Sequence, residues 1–219
     1  MLRHYFKYIL YLVLVIGFSS AKAGVYEDFF QAINRDDART VESLLQRGFD
    51  PNSRDERGQT PLFLSQREGS FKVAQLLLRH PQIRVDLPNE AGETALMMAA
   101  LRGQADEVAR LLDKGARIEA LNEGDQAGWT PLHYAASAPT DGAAVVLLAR
   151  GAKVNARSPN RSTPLMMSAQ YGTETTVDRL LKQGADARLR NDLELTAADF
   201  ARRGGRESLA ARLQVLAGR

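Results

Sequence analysis

The chain has 219 residues, 44% hydrophobic and 25% charged, with 29 basic and 26 acidic side chains and no cysteine. Such a composition excludes a disordered or fibrous chain, and the missing cysteine excludes disulfides, thiolate metal sites and cysteine nucleophiles. The net charge of +3 comes from Arg3, Lys7 and Lys22, which face no acid in the first 23 residues; the remainder is neutral and offers no general electrostatic reason to bind nucleic acid.

Those first residues read as an export leader. Arg3 and Lys7 precede an apolar run from Tyr8 to Phe18, followed by Ser19, Ser20 and the small-residue cleavage pattern Ala21-Lys22-Ala23. Cleavage is expected after Ala23. The apolar run is too short for the roughly 20 residues that cross a bilayer, so no membrane insertion is expected after leader removal. With no cysteine at the cleavage point, a lipid anchor is not expected either.

Two helices are predicted from Val25 to Gln46. Tyr26, Phe29, Phe30 and Ile33 mark the first, and Asp36 or Asp37 caps a second carrying Val41, Leu44 and Leu45. Gly48 stops it by taking a left-handed backbone. Next comes the phrase that organises everything after it. Thr60-Pro61-Leu62 returns as Thr94-Ala95-Leu96, Thr130-Pro131-Leu132, Thr163-Pro164-Leu165 and Thr196-Ala197-Ala198, at steps of 34, 36, 33 and 33 residues. A fixed period in this range marks a solenoid whose units bury their apolar faces only against neighbours.

Within each unit the threonine caps a first helix and proline fits its opening turn. A second helix follows, with apolar stripes at Ala74/Leu77/Leu78, Val108/Leu111/Leu112, Ala144/Leu147/Leu148 and Val177/Leu180/Leu181. Gly115, Gly151 and Gly184 stop three of these helices and Pro81 the other. Polar stretches such as 52–58 then suit hairpins. The first unit lacks the phrase and the last surrounds its apolar set with Arg202, Arg203, Arg206, Glu207 and Arg212, so both read as polar caps. Extra residues near Ile83 and at Glu123–Gln126, Pro139 and the non-glycine Arg161 depart from strict repetition without breaking the stripes.

Thr130-Pro131-Leu132-His133 with Ala135-Ala136, and the closing patterns Gly151-Ala152-Lys153-Val154-Asn155 and Gly184-Ala185-Asp186, resemble the ankyrin repeat family over nearly the whole chain after the leader. The resemblance implies an all-α repeat solenoid of stacked helix pairs joined by β-hairpin-like fingers. About six units are expected, approximately 25–56, 57–90, 91–126, 127–159, 160–192 and 193–219. It also implies a concave face that binds another protein. Matching the family's contact positions points to Arg57, Gln59, Arg67, Glu68, Glu93, Leu101, Arg102, Trp129, Ser162, Gln170 and Tyr171. Trp129, the only tryptophan, is either a contact or packs on its own hairpin.

No catalytic constellation is found. His80 and His133 are far apart and lack metal or triad context; His133 sits at the family's usual histidine position, which implies a hydrogen bond between units. Gly204-Gly205 lacks the glycines and strand context of a phosphate loop. Met97, Met98, Met166 and Met167 are expected to pack in the core. Asn160-Arg161-Ser162 matches a glycosylation acceptor, relevant only on a eukaryotic secretory route. No cofactor or metal is expected. The expected protein is a monomeric, non-enzymatic, exported array that stabilises or regulates a periplasmic partner, with a secreted effector acting on another cell as the alternative.

Overall fold

The structure, a computed structural model, describes residues 24–121 and 128–218. The leader and the lengthened tip at Glu123–Gln126 lie outside them. Inner helices are α1 (24–34), α3 (Pro61–Glu68), α5 (Ala95–Leu101), α7 (Pro131–Ala136), α9 (Pro164–Tyr171) and α11 (Ala197–Arg203). They alternate with outer helices α2 (Ala38–Gln46), α4 (Phe71–Arg79), α6 (Ala105–Asp113), α8 (Gly142–Ala149), α10 (Glu174–Lys182) and α12 (Glu207–Ala217). All elements among the described residues are helical, in six stacked pairs.

The repeated threonines begin the inner helices by local chemistry. Thr60, Thr94 and Thr163 accept from the backbone N–H groups of Phe63, Met97 and Met166 at 3.3–3.4 Å, satisfying donors that the first turn leaves free. The core is a continuous ladder. Leu62, Leu96, Leu132 and Leu165 from inner helices meet Leu77, Leu111, Leu147, Leu180 and Leu213 from outer helices, all buried. The second leucine of three outer pairs, Leu112, Leu148 and Leu181, is only partly covered, whereas Leu78 is buried. At the start of the array Phe29 stacks on Phe49 with centroids 4.2 Å apart, closing the first unit with rings instead of the leucine pattern.

Backbone groups left over at helix ends are satisfied across units. Asp37 caps α2 by accepting from Thr40 N–H, while Asp36, at φ 54°, turns away and accepts from Val73 N–H at the start of α4. Farther along, Gln104 Nε2 donates to Gln66 O, Thr140 Oγ1 to Gly103 O, and Arg206 Nη1 to Ser168 O, Ala169 O and Gly172 O at 2.9–3.1 Å. The third, fourth and sixth units thus close the C-terminal ends of α3, α5 and α9. We predict that Arg206→Ala lowers stability by about 1–3 kcal/mol through stranding part-buried carbonyls, measured by thermal unfolding; Arg203→Ala, on an exposed side chain, serves as the near-neutral control.

A second ladder runs along the repeat-closing turns. Asn52 Oδ1 accepts from Arg84 N–H, Asp86 Oδ1 from Arg117 N–H, Glu119 Oε1 from Lys153 N–H and Asn155 Oδ1 from Asp186 N–H, at 2.8–3.0 Å. The corresponding position in the turn after α10 is Arg188, a donor in place of an acceptor, and its guanidinium binds Asp186 at 2.9–3.1 Å. The arginines of the last unit also serve internal contacts. Arg202 pairs with Asp199 at 2.9 Å, Arg212 with Asp178 at 2.8 Å, and Arg203 lies over the Phe200 ring.

The fingers are tighter than hairpins with strands. Two backbone bonds close each: Asp55 N to Gln59 O with Gly58 N to Asp55 O, Asn89 N to Glu93 O with Gly92 N to Asn89 O, Ser158 N to Ser162 O with Arg161 N to Ser158 O, and Asn191 N to Leu195 O with Glu194 N to Asn191 O. Every tip needs one left-handed residue. Glycine supplies it at 58, 92 and 128, whereas Arg161 at φ 60° and Glu194 at φ 58° adopt it despite a Cβ penalty of about 1–2 kcal/mol.

Candidate functional site

The side chains that leave the core do so at a few repeated positions on the face shared by fingers and inner helices. Four residues after each capping threonine stand Leu64, Met98, Tyr134, Met167 and Phe200, an apolar row crossing five units. Leu64 and Phe200 are buried at the two ends, while Met98, Tyr134 and Met167 are half-exposed in the middle. One residue before the threonines stand Gln59, Glu93, Trp129 and Ser162. Two hollows form between these rows and the fingers.

The N-terminal hollow has a volume of about 570 Å³ and is lined by Tyr26, Glu27, Phe30, Gln31, Asn34, Asp55, Glu56, Arg57, Leu64 and Arg67. It brings together two expected contact residues, Arg57 and Arg67, and adds an aromatic floor that the family positions do not include. Burial and the nearby carboxylates of Asp55 and Glu56 push the Tyr26 phenol up, so it stays a neutral hydrogen-bond donor. Glu68 lies beside this hollow and binds Arg67 at 2.6 Å.

The central hollow, about 200 Å³, is lined by Glu93, Leu101, Trp129, His133, Tyr134, Ser137 and Met167. Glu93, Leu101 and Trp129 were expected contacts; Tyr134, Ser137 and Met167 were not. Trp129 is half-buried and meets the His133 ring edge-on at a centroid distance of 5.2 Å, so it both packs locally and lines the hollow. His133 is fully buried: its Nδ1 accepts from Thr130 N–H at 3.2 Å and its Nε2 donates to Ser162 O at 3.1 Å. Burial lowers its pKa to about 4, which keeps the imidazole neutral at physiological pH.

Of the remaining expected contacts, Arg102 is exposed at the end of α5 and Gln170 is partly exposed on α9. Tyr171, 60% exposed, is among the most exposed large side chains of the described array. Gln59 is half-buried and accepts from Asn89 Nδ2 at 3.2 Å, joining the first two fingers. Ser162 must be removed from the contact set. It is 1% exposed, its carbonyl takes the His133 bond and its hydroxyl accepts from Asn191 Nδ2. At the same position glutamine, glutamate and tryptophan are long enough to emerge, and serine is not. The methionines also divide: Met97 and Met166 are buried, with sulfurs accepting from Thr94 and Thr163 N–H groups, while Met98 and Met167 reach the surface.

An array of capped helix pairs with an apolar row under polar fingers is a protein-binding repeat solenoid. The chain belongs to the ankyrin repeat family: the family model for three ankyrin repeats matches residues 29–122 and 82–158, and the single-repeat model matches 160–192. It is 32% identical over 178 residues to Rabankyrin-5 of Homo sapiens, covering 71% of this chain and 15% of that protein. It is 31% identical over 160 residues to the transient receptor potential cation channel subfamily A member 1 homolog of Caenorhabditis elegans, covering 73% of this chain and 12% of the channel. The chain therefore spans only a small part of these relatives' length.

Among solved structures, it resembles a chain of the complex between the predatory endopeptidase Bd0816 from Bdellovibrio bacteriovorus and the immunity protein Bd3460. The TM-score is 0.74 at 30% identity, covering 86% of this chain and 97% of that chain. Ankyrin repeats mediate protein–protein interaction and are generally non-catalytic.

Proposed function

We propose that this chain is an exported ankyrin array that binds an endopeptidase-class enzyme of its own cell and holds it inactive, without doing chemistry itself. The observation that carries this reading is the match to the complex of an endopeptidase with its immunity protein, which extends over 97% of the matched chain. The curated relatives share only a segment with this chain, so their activities offer no comparable support. The leader pattern before residue 24 supports placing the encounter in the periplasm. Two hollows and the exposed Tyr171 on the same array supply the kind of aromatic anchors that dominate binding energy.

The test is crosslinked capture of the tagged, leader-processed protein from the envelope of its native cell, followed by an activity assay on whatever peptidase comes with it. Capture of one peptidase, and loss of its activity on adding stoichiometric array, is the expected result. Recovery of the array in the medium, with no envelope partner, would replace this reading with a secreted effector. Tyr171→Ala is expected to weaken capture by about tenfold or more. It should leave thermal unfolding unchanged, because the side chain is mostly in solvent; unweakened capture by this variant would place the interface elsewhere.

A further inference from the structure

We propose that the central hollow is a receptor for a single arginine side chain presented by the partner, with Glu93 as its counter-charge and Trp129 and Tyr134 as its walls. This rests on reading the finger-and-inner-helix face as the binding surface. Among the described residues of the lining, Glu93 is the one acidic side chain, and no lysine or arginine is present. Its side chain accepts from Tyr134 OH at 3.3 Å and Asn89 Nδ2 at 3.2 Å, neither of them a cation. The backbone holds it in place, since Glu93 N–H donates to Asn89 Oδ1 at 2.8 Å.

The other polar groups of the wall are committed or neutral. Both His133 nitrogens serve bonds to Thr130 and Ser162. Burial, then the Glu93 charge, push the Tyr134 phenol up, so it remains protonated. What remains is a half-buried carboxylate beside two aromatic side chains, rimmed by Leu101 and Met167, in about 200 Å³.

An anion entering this hollow would meet Glu93 without compensation. A purely apolar side chain would strip water from the carboxylate and return no hydrogen bond, a loss of the kind that makes buried unpaired groups unfavourable. A guanidinium answers each feature: its fixed fork of donors matches a carboxylate, its flat face stacks on aromatic rings, and its methylene stem lies along leucine and methionine. Ammonium would supply the charge but neither the fork nor the plane.

The probe is N-acetyl-arginine amide, titrated into the leader-processed protein while Trp129, the only tryptophan of the chain, reports by its emission. N-acetyl-citrulline amide, of nearly the same shape and neutral, is the comparison. A saturable emission change with the arginine probe, at least about tenfold weaker with citrulline and equally weakened in Glu93→Gln, is expected for one charge-assisted contact. Glutamine keeps an oxygen for Tyr134, and matching circular dichroism and thermal unfolding show that the variant is folded. Equal binding of the two probes, unchanged arginine binding by Glu93→Gln, or no saturation with arginine overturns the proposal. The titration contains no partner, so its failure leaves the endopeptidase reading standing. Conversely, failed envelope capture leaves the titration result untouched.

Discussion

Truncation before Leu195 should lower the unfolding temperature by about 10–20 °C and reduce soluble yield. The removed helices α11 and α12 cover Leu165, Met166, Ala169, Val177 and Leu180, all buried in the intact array. Re-exposing about half of the three largest of these side chains, together with losing the Arg206 bonds to α9, amounts to about 5 kcal/mol. For a chain of this size each kcal/mol moves the midpoint by about 2–4 °C. In a solenoid the loss does not stay local, because each unit is stable only through its neighbours. Leu213→Ala tests the same contact without shortening the chain: it is fully buried in α12 and should cost about 2–5 kcal/mol. Unchanged thermal unfolding in both variants would show that the last unit is an appendage and not a cap.

The sequence made this cap visible for one reason and hid its workings for another. Capping threonines, opening prolines and stopping glycines are local devices, fixed by the backbone groups within a few residues, so they recur as recognisable letters. Contacts between units constrain a position but not a residue type. Asn52, Asp86, Glu119 and Asn155 do the same work with three different side chains, and no motif of letters joins them. By its letters Arg206 is one more charged residue of a polar cap, yet it closes α9 while Arg202 and Arg212 pair with acids.

The candidate site divides along the same line. The expected contacts Arg57, Arg67, Glu93, Leu101 and Trp129 do line the hollows, because family positions fix which side of a helix faces outward. Side-chain length decided the rest. Ser162 shares its position with Trp129 but is too short to reach the surface. Met97 and Met98 are chemically identical neighbours separated by one helical step, which sends one sulfur to a backbone N–H group and the other to the open face. The row at Leu64, Met98, Tyr134, Met167 and Phe200 was readable by counting four residues from each threonine. It was missed because its members vary between aliphatic, thioether and aromatic.

Lowering the pH from about 6.5 to 4 should remove about 3 kcal/mol of stability through His133 alone. Its folded pKa is lowered from 6.5 to about 4, chiefly by burial. Between these values the unfolded chain takes up a proton that the folded chain refuses, so the contribution is fully present above the unfolded pKa and is lost as pH falls toward the folded one. Each pH step of one between the two pKa values removes about 1.4 kcal/mol, which gives the total. The lowered carboxylates act later: Asp37, held down by Thr40, Asp186, held down by Arg188, and Asp199, held down by the Thr196 backbone, have folded values below the ordinary 3.8. Their stabilisation is present above that value and is lost as pH falls through it, so they add little to the slope above pH 5.

The array itself supplies the control. Met97 and Met166 occupy the place of His133 in neighbouring units, and their sulfurs accept the same threonine N–H bond without titrating. His133→Met should therefore begin less stable at pH 7, having lost the bond to Ser162 O, and should then stay nearly flat from pH 6.5 to 5 in chemical denaturation. A variant that keeps the wild-type slope over that range would show that the proton is taken up elsewhere. A flat wild-type profile would mean that the His133 ring charges inside the fold, which its bonds to Thr130 N–H and Ser162 O cannot both survive, since protonated Nδ1 no longer accepts.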